Sequence, residues 1–204
     1  MATVTGARPY VVVSAAMSVD GYLDDATPDR LLLSNDEDFD RVDDVRATCD
    51  AILVGAETVR RDNPRLLVRS PARRAAREQP PLRVVLSRSG RLDPAAAVFG
   101  PGAPTVVYRG EPLPVVLDDL VSRGVRRLLV EGGGTVQAQF LTAGFVDELH
   151  LVVAPFFVGD PAAPRFAGPG RYPHGAADRM RLAEVRPIGD VVLIRYLLGP
   201  PDGD

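Results

Sequence analysis

Leu128-Leu129-Val130-Glu131-Gly132-Gly133-Gly134-Thr135 is the stretch on which the fold turns. Arg126 to Glu131 reads as a buried strand, and the pattern from Thr135 to Ala143 as a helix closed by Gly144. Three glycines join them. Glycine lets a ligand approach the backbone closely, and the free N–H groups at the positive end of the following helix favour a phosphate. The spacing matches neither G-x-G-x-x-G nor a P-loop. A tight turn between strand and helix would use the same three residues.

Working outward, Ala51-Ile52-Leu53-Val54-Gly55 repeats the theme of an apolar strand ending in glycine. Ala56 to Arg61 makes one or two helical turns, stopped by Asn63-Pro64. Thr58 could donate to a phosphate, and Asp62 could bind a ribose hydroxyl; as spacing alone, this is a helix start. Val84-Val85-Leu86-Ser87-Arg88 ends a third strand in a hydroxyl beside a guanidinium, a pair suited to the 2′-phosphate of NADPH or to an ordinary solvated strand end.

The remaining elements complete an alternation. Tyr10 to Met17 is a strand buried on both faces. Ser34 is placed to cap a helix with Glu37 as its capping-box partner, and Phe39, Val42, Val45 and Cys49 supply the apolar stripe. Residues 70–81 read as an exposed loop. Pro104 to Tyr108 is a strand, Val115 to Arg123 a helix closed by Gly124, and Leu149 to Phe157 a long strand. Residues 159–179 form an irregular loop. Met180 to Arg186 and Val191 to Leu198 form an antiparallel hairpin. This predicts an α/β fold: a mixed, mostly parallel sheet of about eight strands, four flanking helices and a C-terminal hairpin, in one domain over 9–198 with tails at 1–8 and 199–204.

Composition excludes several classes. The net charge of −3 gives no basic field for nucleic acid, and no apolar run suits a membrane span. All 24 basic residues are arginine, which excludes Schiff-base and P-loop lysine chemistry. One cysteine, Cys49, excludes an internal disulfide and a multi-cysteine zinc site, so no metal is expected. A polar beginning without a secretory stretch points to a cytoplasmic protein. His150 reads as structural, and His174 falls in the irregular loop.

The set Met17-Ser18-Val19-Asp20-Gly21, Asp50 to Gly55 with Thr58-Val59 and Asp62 to Leu66, Glu131-Gly132-Gly133-Gly134, and Val146-Asp147-Glu148-Leu149 resembles the dihydrofolate reductase superfamily. It is more similar to the reductase domain of the riboflavin-pathway bifunctional deaminase–reductase, over about residues 9 to 197. The resemblance implies a homodimer with an NADPH cleft at the carboxyl ends of the central strands. It implies nucleotide contacts from Ala16, Thr58, Asp62 and Gly133 to Gln139, including Gly134, Thr135 and Val136. Ser87 and Arg88 resemble the pair set on the 2′-phosphate. Substrate contacts fall to Arg46, Leu66, Arg69 and Glu131, with Arg46 and Arg69 suited to clamp a ribose phosphate. Alternatively, Arg46 pairs with Asp43 or Asp50, and Arg69 is solvated.

By this resemblance the ribosyl group of an aminopyrimidine ribose phosphate is reduced to ribityl, with hydride attacking C1 and Glu131 orienting the substrate and relaying a proton. Two departures stand out. The family's tryptophan before the first helix is replaced in the stretch Leu31 to Leu33, and the segment from Ser34 to Arg46 is about one residue longer. With one cysteine the deaminase motif is absent, so another polypeptide is expected to deaminate. An alternative is reduction of dihydrofolate or another pterin, served by Asp38, Asp40 or Asp43, although a solvated acidic face is the favoured reading of those three. An alternative of another class is a non-catalytic nucleotide-binding module.

Overall fold

The computed structural model describes residues 8–27, 29 and 31–198; apart from Arg8, the expected tails lie outside the described residues. Among these the elements run β1 (Tyr10–Ser18), α1 (Asp36–Thr48), β2 (Ala51–Gly55), α2 (Ala56–Asp62), α3 (Pro71–Ala75), β3 (Leu82–Leu86), β4 (Thr105–Tyr108), α4 (Leu113–Ser122), β5 (Arg127–Gly132), α5 (Gly134–Thr142), β6 (Glu148–Ala154), β7 (Arg181–Ile188) and β8 (Val191–Leu197). They build one sheet in the order β4-β3-β2-β5-β1-β6-β8-β7. The pairings from β4 to β6 are parallel, and β8 runs antiparallel to both β6 and β7. The expected fold class is the observed one.

Side-chain alternation splits the core into two layers. Val11, Val13, Leu53, Leu128 and Val130 point to one face and pack on Val116, Leu117 and Leu120 of α4 and on Phe140 of α5. Val12 and Leu129 point to the other, under Cys49 and Val45 at the end of α1, while Ile52 and Val54 pack beside α2. Both faces of the central strands are covered, so these strands are continuous apolar runs rather than alternating ones.

Several local expectations are corrected. Residues 70–81 are not all loop, because Ser70 caps a short helix, α3, that has Pro71 in its first turn. Five residues are too few to show helical periodicity, but the Ser-Pro start suits a cap followed by N1. The cap of α1 is Asn35, not Ser34. Its Oδ1 accepts from the Asp38 N–H at 2.9 Å, and its Nδ2 donates to the Ile188 carbonyl at 2.8 Å and to Asp190 Oδ1 at 2.7 Å. The helix start is thereby fastened to the β7–β8 turn. The buried positions within α1 are Asp38, Arg41 and Asp43, whereas the anticipated stripe of Phe39, Val42 and Val45 is half-buried. The solvated-face reading therefore fails for Asp38 and Asp43 and holds for Asp40, which pairs with Arg73 near the surface. Strand β6 ends at Ala154, short of Phe157, which is 74% exposed.

Candidate active site

The carboxyl ends of β1, β2 and β5 open on a cleft of about 800 Å³. Its place follows from topology. The chain passes outward from β2 to β4, then returns to insert β5 between β2 and β1, and ligands of open α/β sheets bind where strand order reverses in this way.

Glycines shape the floor. Gly132 has φ of +133°, a conformation side chains rarely adopt, and the Gly132–Gly133 peptide is cis. Gly133 is the N-cap of α5. A Cβ on Gly134 would lie 2.9 Å from Leu23 Cδ1 and 3.1 Å from the Arg165 carbonyl oxygen, so the backbone is bare because neighbours crowd it. The N–H groups of Gly134 and Thr135 at the start of α5 have no acceptor among the described residues and lie at this opening, which suits an anion.

Glu131 is placed by a break in register. Leu53 pairs with Val130 and Val54 with Gly132, so Glu131 is the extra residue of a bulge in β5. Its carboxylate meets Arg46 of α1, whose Nε donates to Oε1 at 2.6 Å and Nη2 to Oε2 at 2.7 Å. Arg46 Nη1 donates to the Leu67 carbonyl at 3.1 Å. Burial opposes the guanidinium charge, but the charge and hydrogen bonds of Glu131 win and hold the Arg46 pKa above its ordinary value. The two partners anticipated for Arg46 are engaged elsewhere. Asp43 accepts from the backbone N–H groups of Arg69 and Ser70, at 2.5 and 2.9 Å, and Asp50 from those of Arg126 and Arg127, at 2.8 and 2.9 Å.

Other charges in the cleft are partly neutralised: Arg61 pairs with Asp24 at 3.0 Å, and Arg41 with Asp38 at 2.6 Å. Among the described residues, Arg69 and Arg165 line the cleft without a carboxylate partner. Arg69 lies 5.6 Å from the centroid of the Phe39 ring and Arg165 4.2 Å from that of Tyr22, so both guanidinium groups are steadied by aromatic faces.

The cleft thus brings together Ala16, Arg46, Thr58, Asp62, Arg69, Glu131 and the run Gly133, Gly134, Thr135 and Val136. It does not include Leu66, Ser87 or Arg88. Leu66 is 2% exposed in the core beside α2, with φ of +48°. The Ser87 hydroxyl accepts from the Gly90 N–H at 3.0 Å, and Arg88 is exposed at the carboxyl end of β3, one strand beyond Gly55. Sequence reasoning passed over Ser14, Arg41, Arg61 and Arg165 as lining residues and misjudged Asp38. The burial of Asp38 three positions after a capping Asn35 carried no local signal: its partner Arg41 is local, but the group that receives Arg41, His150, lies in β6.

The α/β sheet thus carries, at its switch point, a glycine-opened helix with a largely buried carboxylate–guanidinium pair beside it. The chain belongs to the RibD C-terminal domain family, which matches residues 9–194. It is 34% identical, over 93% of its length, to the 2,5-diamino-6-ribosylamino-4(3H)-pyrimidinone 5′-phosphate reductase of Methanothermobacter thermautotrophicus, of which it covers 98%. It is 30% identical, over 96% of its length, to the riboflavin biosynthesis protein RibD of Bacillus amyloliquefaciens, of which it covers 59%. Among solved structures, Acinetobacter baumannii RibD superposes with a TM-score of 0.80 at 25% identity, covering 95% of this chain and 59% of that one.

Proposed function

We propose that the protein is an NADPH-dependent reductase of a ribosylamino-pyrimidine 5′-phosphate, acting in the cytoplasm as a homodimer. The observation that carries this reading is the shared cleft: a bare glycine turn at the start of α5 and the Arg46–Glu131 pair line one cavity. The residues fit a dinucleotide. Glycine at 134 lets α5 start hard against Leu23 and the Arg165 carbonyl in the cleft, and the Gln137 Oε1, buried in the same cleft, has no hydrogen-bond partner among the described residues.

The α5 N–H groups would hold the pyrophosphate, with Thr58 and Asp62 toward the ribose. Ser87 and Arg88, one strand farther along the same sheet edge, would take the 2′-phosphate. Bound there, the nicotinamide supplies hydride for C1 of the open ribosyl chain. Arg69, the cationic lining residue near Arg46 that lacks a carboxylate partner, fits the substrate phosphate, with the Leu66 backbone close by in the same loop. Glu131, held as a carboxylate in one orientation by Arg46, accepts from a sugar hydroxyl and orients the chain, and a water of the cleft supplies the proton to the atom that gains the electron pair. The side chains of α1 and the Leu31 to Leu33 segment shield the ring from water.

The test is a steady-state assay of the purified protein with NADPH. Oxidation of the nicotinamide with formation of the ribityl product is expected for the pyrimidine ribose phosphate. Turnover of dihydrofolate alone would favour a pterin reductase. Tight NADPH binding with no oxidation by either would favour a binding module.

A further inference from the structure

The motif Met17-Ser18-Val19-Asp20-Gly21 leaves β1 without lining the cleft. Its polar groups build a clasp instead. Asp20 accepts from the Ser18 hydroxyl at 2.5 Å and, just beyond β6, from the Val158 and Gly159 N–H groups at 3.1 and 2.8 Å. Gly21 takes φ of +86°, and its carbonyl accepts from the Phe166 N–H at 3.0 Å. The Leu23 N–H donates to the Pro164 carbonyl at 2.8 Å. The loop after β1 and the loop after β6 are thus laced together, with Tyr22 and Arg165 facing each other in an antiparallel bridge.

The clasp decides where Arg165 stands. Its guanidinium lies over the ring of the buried Tyr22, with Nη2 donating to the Tyr22 hydroxyl at 2.5 Å and Nη1 to the Asp20 carbonyl at 3.3 Å. Two of its five N–H groups are thereby engaged, and the others have no partner among the described residues. A long side chain pinned in this way has already lost the freedom that ligand binding would take from it. The Arg165 backbone also touches the start of the nine-residue helix α5, because its carbonyl lies 3.1 Å from the Cβ position of Gly134. A held, unneutralised cation therefore lines the cleft beside two helix N–H groups that lack acceptors, those of Gly134 and Thr135. That a ligand belongs in this cleft has an independent sign in Gln137, 2% exposed on its wall, whose Nε2 donates to the Ser14 carbonyl while its Oε1 has no partner.

We infer that Arg165 binds the pyrophosphate of the dinucleotide, its guanidinium adding a second set of donors to those of the α5 N–H groups, and that Asp20 is the positioning residue that holds Arg165 there. This rests on the reductase reading above. The other cleft arginines are committed differently: Arg61 pairs with Asp24, Arg41 with Asp38 and Arg46 with Glu131, while Arg69 stacks on Phe39 of α1. A guanidinium offers a planar fork to phosphate oxygens, and a dianionic pyrophosphate needs more than helix N–H groups to offset its charge. Both nicotinamide dinucleotides carry the pyrophosphate, so Arg165 strengthens both alike and takes no part in choosing between them.

The test is calorimetric titration of the purified protein with NADPH, NADH and inorganic pyrophosphate. Arg165→Met keeps an apolar stem over Tyr22 and removes the charge. It should weaken NADPH and NADH by the same factor, about tenfold or more, the effect of one or two charge-assisted hydrogen bonds. Inorganic pyrophosphate should displace NADPH from the wild type and do so at least about tenfold less well from Arg165→Met. Arg165→Lys, which keeps the charge without the fork, should recover part of the loss. Asp20→Asn should weaken pyrophosphate in the wild-type background and have no further effect in Arg165→Met, an outcome that a merely structural role for Asp20 would not give. Unchanged affinity for both dinucleotides in Arg165→Met overturns the inference, as does a loss confined to NADPH, which would put Arg165 on the 2′-phosphate. A raised KM for the ribose phosphate substrate with dinucleotide affinity intact overturns it too. Each of these leaves the reductase standing, whereas a wild type that binds neither dinucleotide overturns the reductase reading and this inference with it.

Discussion

The Arg46 guanidinium grips the Glu131 carboxylate with two N–H donors, at 2.6 and 2.7 Å, across the gap between α1 and the bulge in β5. Their side chains are 12% and 13% exposed, so each would be costly to leave alone. The pair ties the first helix to the glycine turn and presents one carboxylate, in one orientation, to the cleft.

Breaking this pair should separate structure from chemistry. Arg46→Met leaves Glu131 uncompensated and should cost about 3 kcal/mol in urea unfolding. Pairing it with Glu131→Leu should restore most of that loss. Glu131→Gln should lower kcat by about a hundredfold with NADPH affinity unchanged. Additive stability losses in the double variant would show that the two residues are not energetically coupled.

At Gly134 the expectation concerns affinity. Alanine there drives its Cβ against Leu23 and the Arg165 carbonyl, so the turn must shift and carry the first N–H groups of α5 with it. NADPH affinity, measured by calorimetry, should fall by about tenfold or more. Gly124→Ala is the control: its φ of +83° should make it cost about 1 kcal/mol of stability, with affinity unaltered. Unchanged binding in Gly134→Ala would remove the glycine turn from the cofactor site.

Nucleotide preference is expected to depend on Arg88. Arg88→Ala should raise KM for NADPH about tenfold and leave that for NADH within about twofold. If both rise together, the 2′-phosphate is held elsewhere, and Arg61 at the cleft edge is the residue to try next.

Arg69 should matter in proportion to the substrate's phosphate. Arg69→Ala is expected to raise KM for the phosphorylated substrate by about tenfold or more, with kcat little changed. The dephosphorylated compound should bind the two proteins alike. A fall in kcat without a change in KM would contradict a phosphate contact.

Acid stability should trace to Glu148. Burial pushes its pKa up, but hydrogen bonds from His150 and Arg195 outweigh this and hold it well below the ordinary 4.5. A carboxylate depressed in the folded state contributes stability that is complete above its unfolded pKa and is lost as pH falls toward its folded one. Melting temperatures should therefore drop as pH falls below about 4.5, and the drop should be shallower in Glu148→Gln. Parallel curves for the two proteins would exclude Glu148 as the source.

The order of strands and helices and the parallel core could be read from the chain, because both are written locally. Val11 to Val13, Ile52 to Val54 and Leu128 to Val130 are apolar runs too short for helices and too continuous for a solvated sheet face. Gly124 and Gly144 mark helix ends through positive φ, a property of the residue itself. The position of the glycine run between a strand and a helix was legible for the same reason. What the chain alone could not assign was the partner of each charge. Arg46 stands 85 residues from Glu131, Arg41 109 from His150, and their meeting depends on β5 entering between β2 and β1 and on the one-residue bulge that turns Glu131 toward α1. Helical periodicity ranks residues by apolarity, so it sent Asp38 and Asp43 to solvent; burying them is tolerable because Arg41, itself held against His150 of β6, donates to Asp38, and the loop at Arg69 donates to Asp43. Backbone preferences act over a few residues, whereas burial of a charge is decided by whichever distant group arrives to satisfy it.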